Sequence, residues 1–145
     1  MSESTKRARM HTAEHVLSAV MRIHYGAPRN IELHLGDKKT KCDYLPEQQL
    51  AEVDIKKIEQ LVNDELSKNH TVSSFFLQRS EARDYDLWKV PADAETIRIY
   101  KIGNFDAQPC AGPHVSYTAN VGRFHILSHE QKDAGIIRIR FRVEG

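Results

Sequence analysis

Apolar residues at 13, 16, 17, 20 and 23 follow the i, i+3, i+4, i+7 spacing of a helix face, which predicts a helix over residues 5–25. Gly26 supplies its stop, and Pro28 prevents continuation. Residues 31–35 alternate apolar and polar as a half-buried strand does. Gly36-Asp37-Lys38-Lys39 reads as a turn, with a second strand at 40–44. Pro46 suits a first helical turn, and Leu50, Val53, Ile58, Leu61, Val62 and Leu66 mark a long amphipathic helix ending near Asn69. Strands follow at 71–77, 96–102, 123–127 and 135–143, with a short helix at 80–85 and a hairpin through residues 132–135. Two helices among about six strands, without strict strand–helix alternation, predict an α+β fold. The expectation is a single domain over 1–145 in which an antiparallel-rich sheet packs on a long helix. Residues 1–9 are either a flexible lead or the first helical turn.

A length of 145 residues gives one core that needs no disulfide or metal clip to form, and two cysteines allow one bridge at most. The net charge of +1 excludes a strongly basic, histone-like protein but leaves room for a local basic face. No apolar run approaches the ~18 residues of a membrane span, and no apolar stretch follows the basic N-terminus as in a signal peptide. A cytoplasmic location, with no membrane or DNA partner, is the resulting expectation.

Eight histidines are the first unusual count. His24, His70, His125 and His129 have no motif around them and read as surface or packing residues. His11 and His15 stand four apart in the first helix, so both project from one face and can reach one metal ion. Alone, such a pair also arises by chance. Cys110-Ala111-Gly112-Pro113-His114 adds a thiol and an imidazole in a tight loop, a donor set suited to Zn²⁺. A buried cysteine beside an incidental histidine is the plainer reading of that loop by itself. Together the two pairs make one His₃Cys set.

HTAEHVL at 11–17 with FDAQPCAGPHV at 105–115 resembles the editing domain shared by alanyl- and threonyl-tRNA synthetases and by free-standing alanyl-tRNA editing proteins. Their pattern is H-x-x-x-H followed far downstream by C-x-x-x-H. The resemblance runs from His11 through the long middle helix, VGRFHIL at 121–127 and AGIIRI at 134–139. It implies one zinc ion per chain on His11, His15, Cys110 and His114, and hydrolysis of the ester that joins a wrong amino acid to tRNA. A zinc-bound water, its pKa lowered to ~7, would be the nucleophile, or the zinc would position substrate while another water attacks. Four protein ligands close a tetrahedral site, so one has to be weak or displaced for the metal to meet substrate.

An alanine pocket cannot strongly reject glycine, because one methyl is worth only ~1–3 kcal/mol, nor serine, which merely adds a hydroxyl. Serine is therefore the expected amino acid removed, with glycine second. The alanine-type loop commonly reads C-G-G-T-H, whereas C-A-G-P-H here is more like the threonyl version; FDAQP and the lack of other synthetase modules look more like the free-standing alanine type. The expectation is a trans-editing deacylase of serine- or glycine-charged alanine tRNA. The alternatives are serine-charged threonine tRNA, another small ester as substrate, or a non-catalytic zinc-containing RNA-binding module. A homodimer is left open.

Around the site, His34 and Asn30 on the first strand are candidates to face substrate, and Asp106 and Gln108 to orient metal ligands. His34 as an exposed strand residue and Asp106 as a turn-former are the competing readings. Arg138, Arg140 and Arg142 alternate with apolar residues on the last strand and, with Lys6, Arg7 and Arg9, are candidate tRNA contacts. A solvated outer face accounts equally for the arginine stripe.

Overall fold

The computed structural model describes residues 3–144; the N-terminal expectation for residues 1–2 lies outside the described residues. Helix α1 (Glu3–Tyr25) therefore includes the described part of the 1–9 lead. It is followed by β1 (Asn30–His34), β2 (Thr40–Tyr44), α2 (Glu52–Ser67), β3 (Val72–Gln78), β4 (Thr96–Ile102), β5 (Asp106–Pro109), β6 (Arg123–Gln131) and β7 (Ile137–Glu144). The strands form two antiparallel sheets, one ordered β1-β2-β7-β6 and one ordered β3-β4-β5. The α+β class stands, with the sheet divided in two.

Met10, Ala13, Val16, Leu17, Val20 and Met21 of α1 are all buried in the main core. Ile23, which the periodicity places on that face, is 54% exposed, because the core-facing stripe passes through Met21 one step earlier. Gly26 ends the helix at φ +71°, a conformation that favours glycine, and the Ala27 N–H closes onto the Met21 carbonyl. Helix α2 begins later than Pro46 suggests: the Asp54 carboxylate accepts the Ala51 N–H and fixes the start there. Val53 is consequently exposed, while Ile55, Ile58, Val62 and Leu66 are buried.

Both helices cover one face of the four-stranded sheet, where Cys42, Tyr44, Phe124, Ile137, Ile139 and Phe141 join the main core. Asn63 ties α2 to β6 by donating to the Phe124 carbonyl and accepting its N–H. Strand β4 alternates between two clusters. Tyr100 and Ile102 face the main core, and Ile97 and Ile99 pack with Ala82 in a smaller one. That smaller cluster anchors the segment between β3 and β4, which folds as a short 3-10 turn (Arg79–Glu81) and irregular chain rather than the helix expected at 80–85. The hairpin between β6 and β7 is present as expected. Strand β5, four residues long, carries no alternation that sequence reading could detect.

Phe141 is fully buried and tilted against Phe124 at 4.9 Å between ring centroids. Phe141→Ala should lower unfolding free energy by about 3–5 kcal/mol in denaturant titration. Arg142→Ala, which removes only a surface pair with Glu144, should change it by less than about 0.5 kcal/mol.

Candidate metal centre and pocket

The i, i+4 spacing on α1 sets His11 and His15 side by side, with ring centroids 4.5 Å apart. The loop after β5 delivers the other two donors. His114 lies 4.8 Å from both rings, and Cys110 Sγ is 3.2 Å from His11 Nε2. Two sets of hydrogen bonds hold that loop. Arg98 of β4 donates to the carbonyls of Cys110 and Gly112, at 3.1 and 2.8 Å. Thr12, between the two histidines, accepts the Val115 N–H at 3.1 Å and donates to the Ala8 carbonyl. Gly112 is required for closeness: a Cβ there would stand 2.3 Å from His11 Cε1.

One donor atom from each of the four residues lies within 4.8 Å of all the others. Donor atoms around a tetrahedral zinc stand about 3.3–3.8 Å apart, so the set is near that size. The buried His15 Nε2 and His114 Nε2 have no hydrogen-bond partner. Buried imidazole nitrogens without partners are costly unless something accepts their lone pairs, and a cation does so. The donor chemistry, spacing and orphaned nitrogens therefore fit zinc. Cys42, by contrast, is buried in the sheet core, and both cysteines are unbridged.

Electrostatics keep the imidazoles neutral. Burial holds His11 down to about 4 against the opposing Pro113 carbonyl, with Lys89, Arg7 and Arg98 adding to the depression. Burial, then His11 and Arg98, holds His114 down to about 3. His15 is pushed well below the ordinary value by burial and by its two histidine neighbours. Burial pushes the Cys110 thiol up, so a metal has to displace its proton.

A cavity of about 420 Å³ adjoins the cluster, and Glu14, Ser18, Asn30, Trp88, Lys89 and Arg98 are among the residues that line it. Glu14 is buried, and burial raises its pKa. Its carboxylate accepts Ser18 Oγ at 2.6 Å and Asn30 Nδ2 at 3.0 Å. Ser18 is also 2.7 Å from Tyr44 Oη, and Lys89 Nζ donates to Asn30 Oδ1. Tyr100 forms a wall, stacked on His15 at 3.9 Å, and its hydroxyl donates to Asp106 at 2.7 Å. Asp106 also accepts Arg22 and Gln108.

The structure brings His11, His15, Cys110, Asn30, Asp106 and Gln108 to the cavity lining, with His114 behind them in the donor cluster, but it does not bring His34 there. A register shift between Asn30 and Glu32 changes the phase of β1, so Leu33 lines the cavity and His34 is exposed. Asp106 touches no metal donor directly; it fixes Tyr100, which stacks on His15. Arg9 is buried and donates to the Val121 carbonyl at 2.9 and 2.8 Å, while Lys6 and Arg7 are exposed on α1. Arg138, Arg140 and Arg142 lie on the sheet face opposite the helices, paired with Asp43, Glu130 and Glu144. Sequence reading missed Glu14, Ser18, Lys89, Trp88, Arg98 and Tyr100. Only Glu14 and Ser18 carried a signal, being i, i+4 on the histidine helix.

Two outcomes are expected. Competition against a chromophoric chelator should show one tight zinc site in the wild type, weakened at least tenfold by Cys110→Ala and by Gly112→Ala. In the metal-free protein, the unfolded histidines titrate near 6.5 and the folded ones lower, so the unfolded chain binds more protons below pH 6.5. Melting temperature of chelator-treated protein should then fall as pH drops from 7 toward 4; a flat profile contradicts the neutral cluster.

Residues 97–140 match the family model described as the threonyl and alanyl tRNA synthetase second additional domain. Relatives include the alanine–tRNA ligase of Borreliella burgdorferi, 27% identical over 95% of this chain and 23% of the relative. That of Nitrosomonas europaea is 30% identical over 93% of this chain and 16% of its own length. That of Carboxydothermus hydrogenoformans is 31% identical over 91% and 15%. The chain thus spans less than a quarter of the length of these relatives. No helix among the described residues is long and apolar enough to cross a membrane. The similarity to alanine–tRNA ligases extends over nearly the whole chain, and its C-terminal part is similar to the threonyl and alanyl tRNA synthetase second additional domain.

Proposed function

We propose that this chain is a zinc-dependent aminoacyl-tRNA deacylase that acts in trans on mischarged tRNA, foremost serine-charged alanine tRNA and secondarily the glycine-charged form. The observation that carries this reading is the convergence of His11, His15, Cys110 and His114, the first three of which line a cavity. The alanine–tRNA ligase relatives direct it toward alanine tRNA.

His11, His15, Cys110 and His114 would hold the ion, which when bound supplies a Lewis-acidic charge beside the scissile ester. The remaining groups belong to the chain. Glu14, fixed by Ser18 and Asn30, presents a buried carboxylate group next to His15, with Oε1 3.6 Å from Nδ1. Lys89 donates to Asn30, which in turn donates to Glu14, and so brings positive charge near the carboxylate. A small polar amino acid fits against this group, since its ammonium and hydroxyl can exchange hydrogen bonds with Glu14 and Asn30. An alanyl group has no hydroxyl to offer, and a site built to bond that hydroxyl rejects the analogue lacking it. Tyr100 and Leu33 exclude water from the cavity's apolar sides.

The test is release of serine from serine-charged alanine tRNA by the isolated chain, beside alanine-charged alanine tRNA and serine-charged threonine tRNA. Serine should leave alanine tRNA fastest, and Cys110→Ala should slow it at least about 100-fold. Clearance of the threonine tRNA alone would transfer the activity to that substrate. Zinc binding without hydrolysis of any charged tRNA would overturn the enzymatic reading.

A further inference from the structure

The mouth of the cavity carries Trp88, an indole 59% exposed to solvent. This ring is held in place by neighbours from two parts of the chain. The Arg29 guanidinium lies 5.0 Å from the ring centroid. Asp86 joins the two: Oδ2 accepts Arg29 Nε at 2.7 Å and Oδ1 accepts the Trp88 backbone N–H at 3.0 Å. Arg29 comes from the link between α1 and β1, whereas Asp86 and Trp88 come from the segment anchored by the smaller core cluster. Two distant parts of the chain thus build one aromatic–cation device at the entrance.

We propose that Trp88, positioned by Arg29 and Asp86, is a stacking platform for the purine base at the 3′ end of the substrate. The inference rests on the deacylase reading, because it takes the amino acid to enter toward the metal donors and the terminal nucleoside to remain at the mouth. The cavity, at about 420 Å³, is far larger than a seryl group needs, and His11, His15, Cys110 and Trp88 border the same space. Every base offers a π-face, so an aromatic platform binds it without reading hydrogen bonds, and a neighbouring arginine adds cation–π attraction. The platform thereby raises affinity for a nucleoside ester over a free amino-acid ester. Trp88 is a positioning residue in this scheme: it touches the base and not the reacting carbonyl.

The chain has one tryptophan, so its fluorescence reports Trp88 alone. A non-hydrolysable probe, 3′-deoxy-3′-serylamino-adenosine, should quench the wild-type emission saturably, while the same serylamino-ribose without a base should not. Trp88→Ala should raise KM for charged tRNA about tenfold with kcat and zinc content little changed, and Trp88→Phe should recover most of the loss. No quenching by the adenosine probe, or an unaltered KM in Trp88→Ala, overturns the platform. The quench needs no turnover, so a chain that binds the probe but hydrolyses nothing would fail as a deacylase while the platform stands. Circular dichroism of Trp88→Ala should match wild type, since the exposed ring contributes little to the core.

Discussion

Everything at the candidate centre depends on closing the loop after β5 onto helix α1, a contact between residues 99 apart in sequence. The helix supplies two donors by its periodicity, but the second pair arrives only because Arg98 holds two loop carbonyls and Thr12 captures the Val115 amide. Gly112 sets the approach, since its missing side chain is the space that the His11 ring uses. Bringing distant segments together costs loop-closure entropy, and the closure is stabilised here by hydrogen bonds between protein groups.

The fold subserves that closure. Helix α1 is buried along most of its length, with the four-stranded sheet and α2 on its apolar stripe and β4 beside its histidine face. Tyr100 stands at the junction: part of the main core, stacked on His15, and fixed by Asp106, which is itself paired with Arg22 one turn from the helix end. Rigid packing of one tyrosine thus transmits the position of the second sheet to a metal donor.

Local periodicity made α1, β2, β4 and the last hairpin legible, because apolar residues recur along each at the period of its element. Errors arose where a tertiary choice displaced the stripe. Ile23 lies in phase with Ala13 and Val16, yet Met21 fills the core instead. His34 lies in phase with Asn30, yet the β1 register shift turns Leu33 inward. Phe75 and Phe76, apolar residues of the strand expected at 71–77, are exposed, Phe76 by 67%, because β3 is an edge strand with few neighbours to cover it. The clustering of His11, His15, Cys110 and His114 was legible because these residues are confined to two short motifs. Lys89, Trp88 and Arg98 were not, because each acts through partners that only the fold brings near.

The polar side of the cavity explains why the centre can combine a carboxyl group with three neutral imidazoles. An isolated buried carboxylate would cost several kcal/mol, and burial accordingly raises the Glu14 pKa. Three groups work against that shift: the Ser18 hydroxyl, the Lys89 charge and the Asn30 amide. Ser18 gives its one proton to Glu14, so the hydrogen bond with Tyr44 has the tyrosine hydroxyl as donor, and the chain of donors ends in the core. Asn30 is oriented in the same way, because Lys89 donates to its oxygen and leaves its amide nitrogen for Glu14. Each donor thus faces a defined acceptor, which fixes side-chain directions more firmly than any single bond could. A ligand entering this space meets preset polarity, so discrimination between a side chain with a hydroxyl and one without follows from which groups it leaves unpaired, not from pocket size.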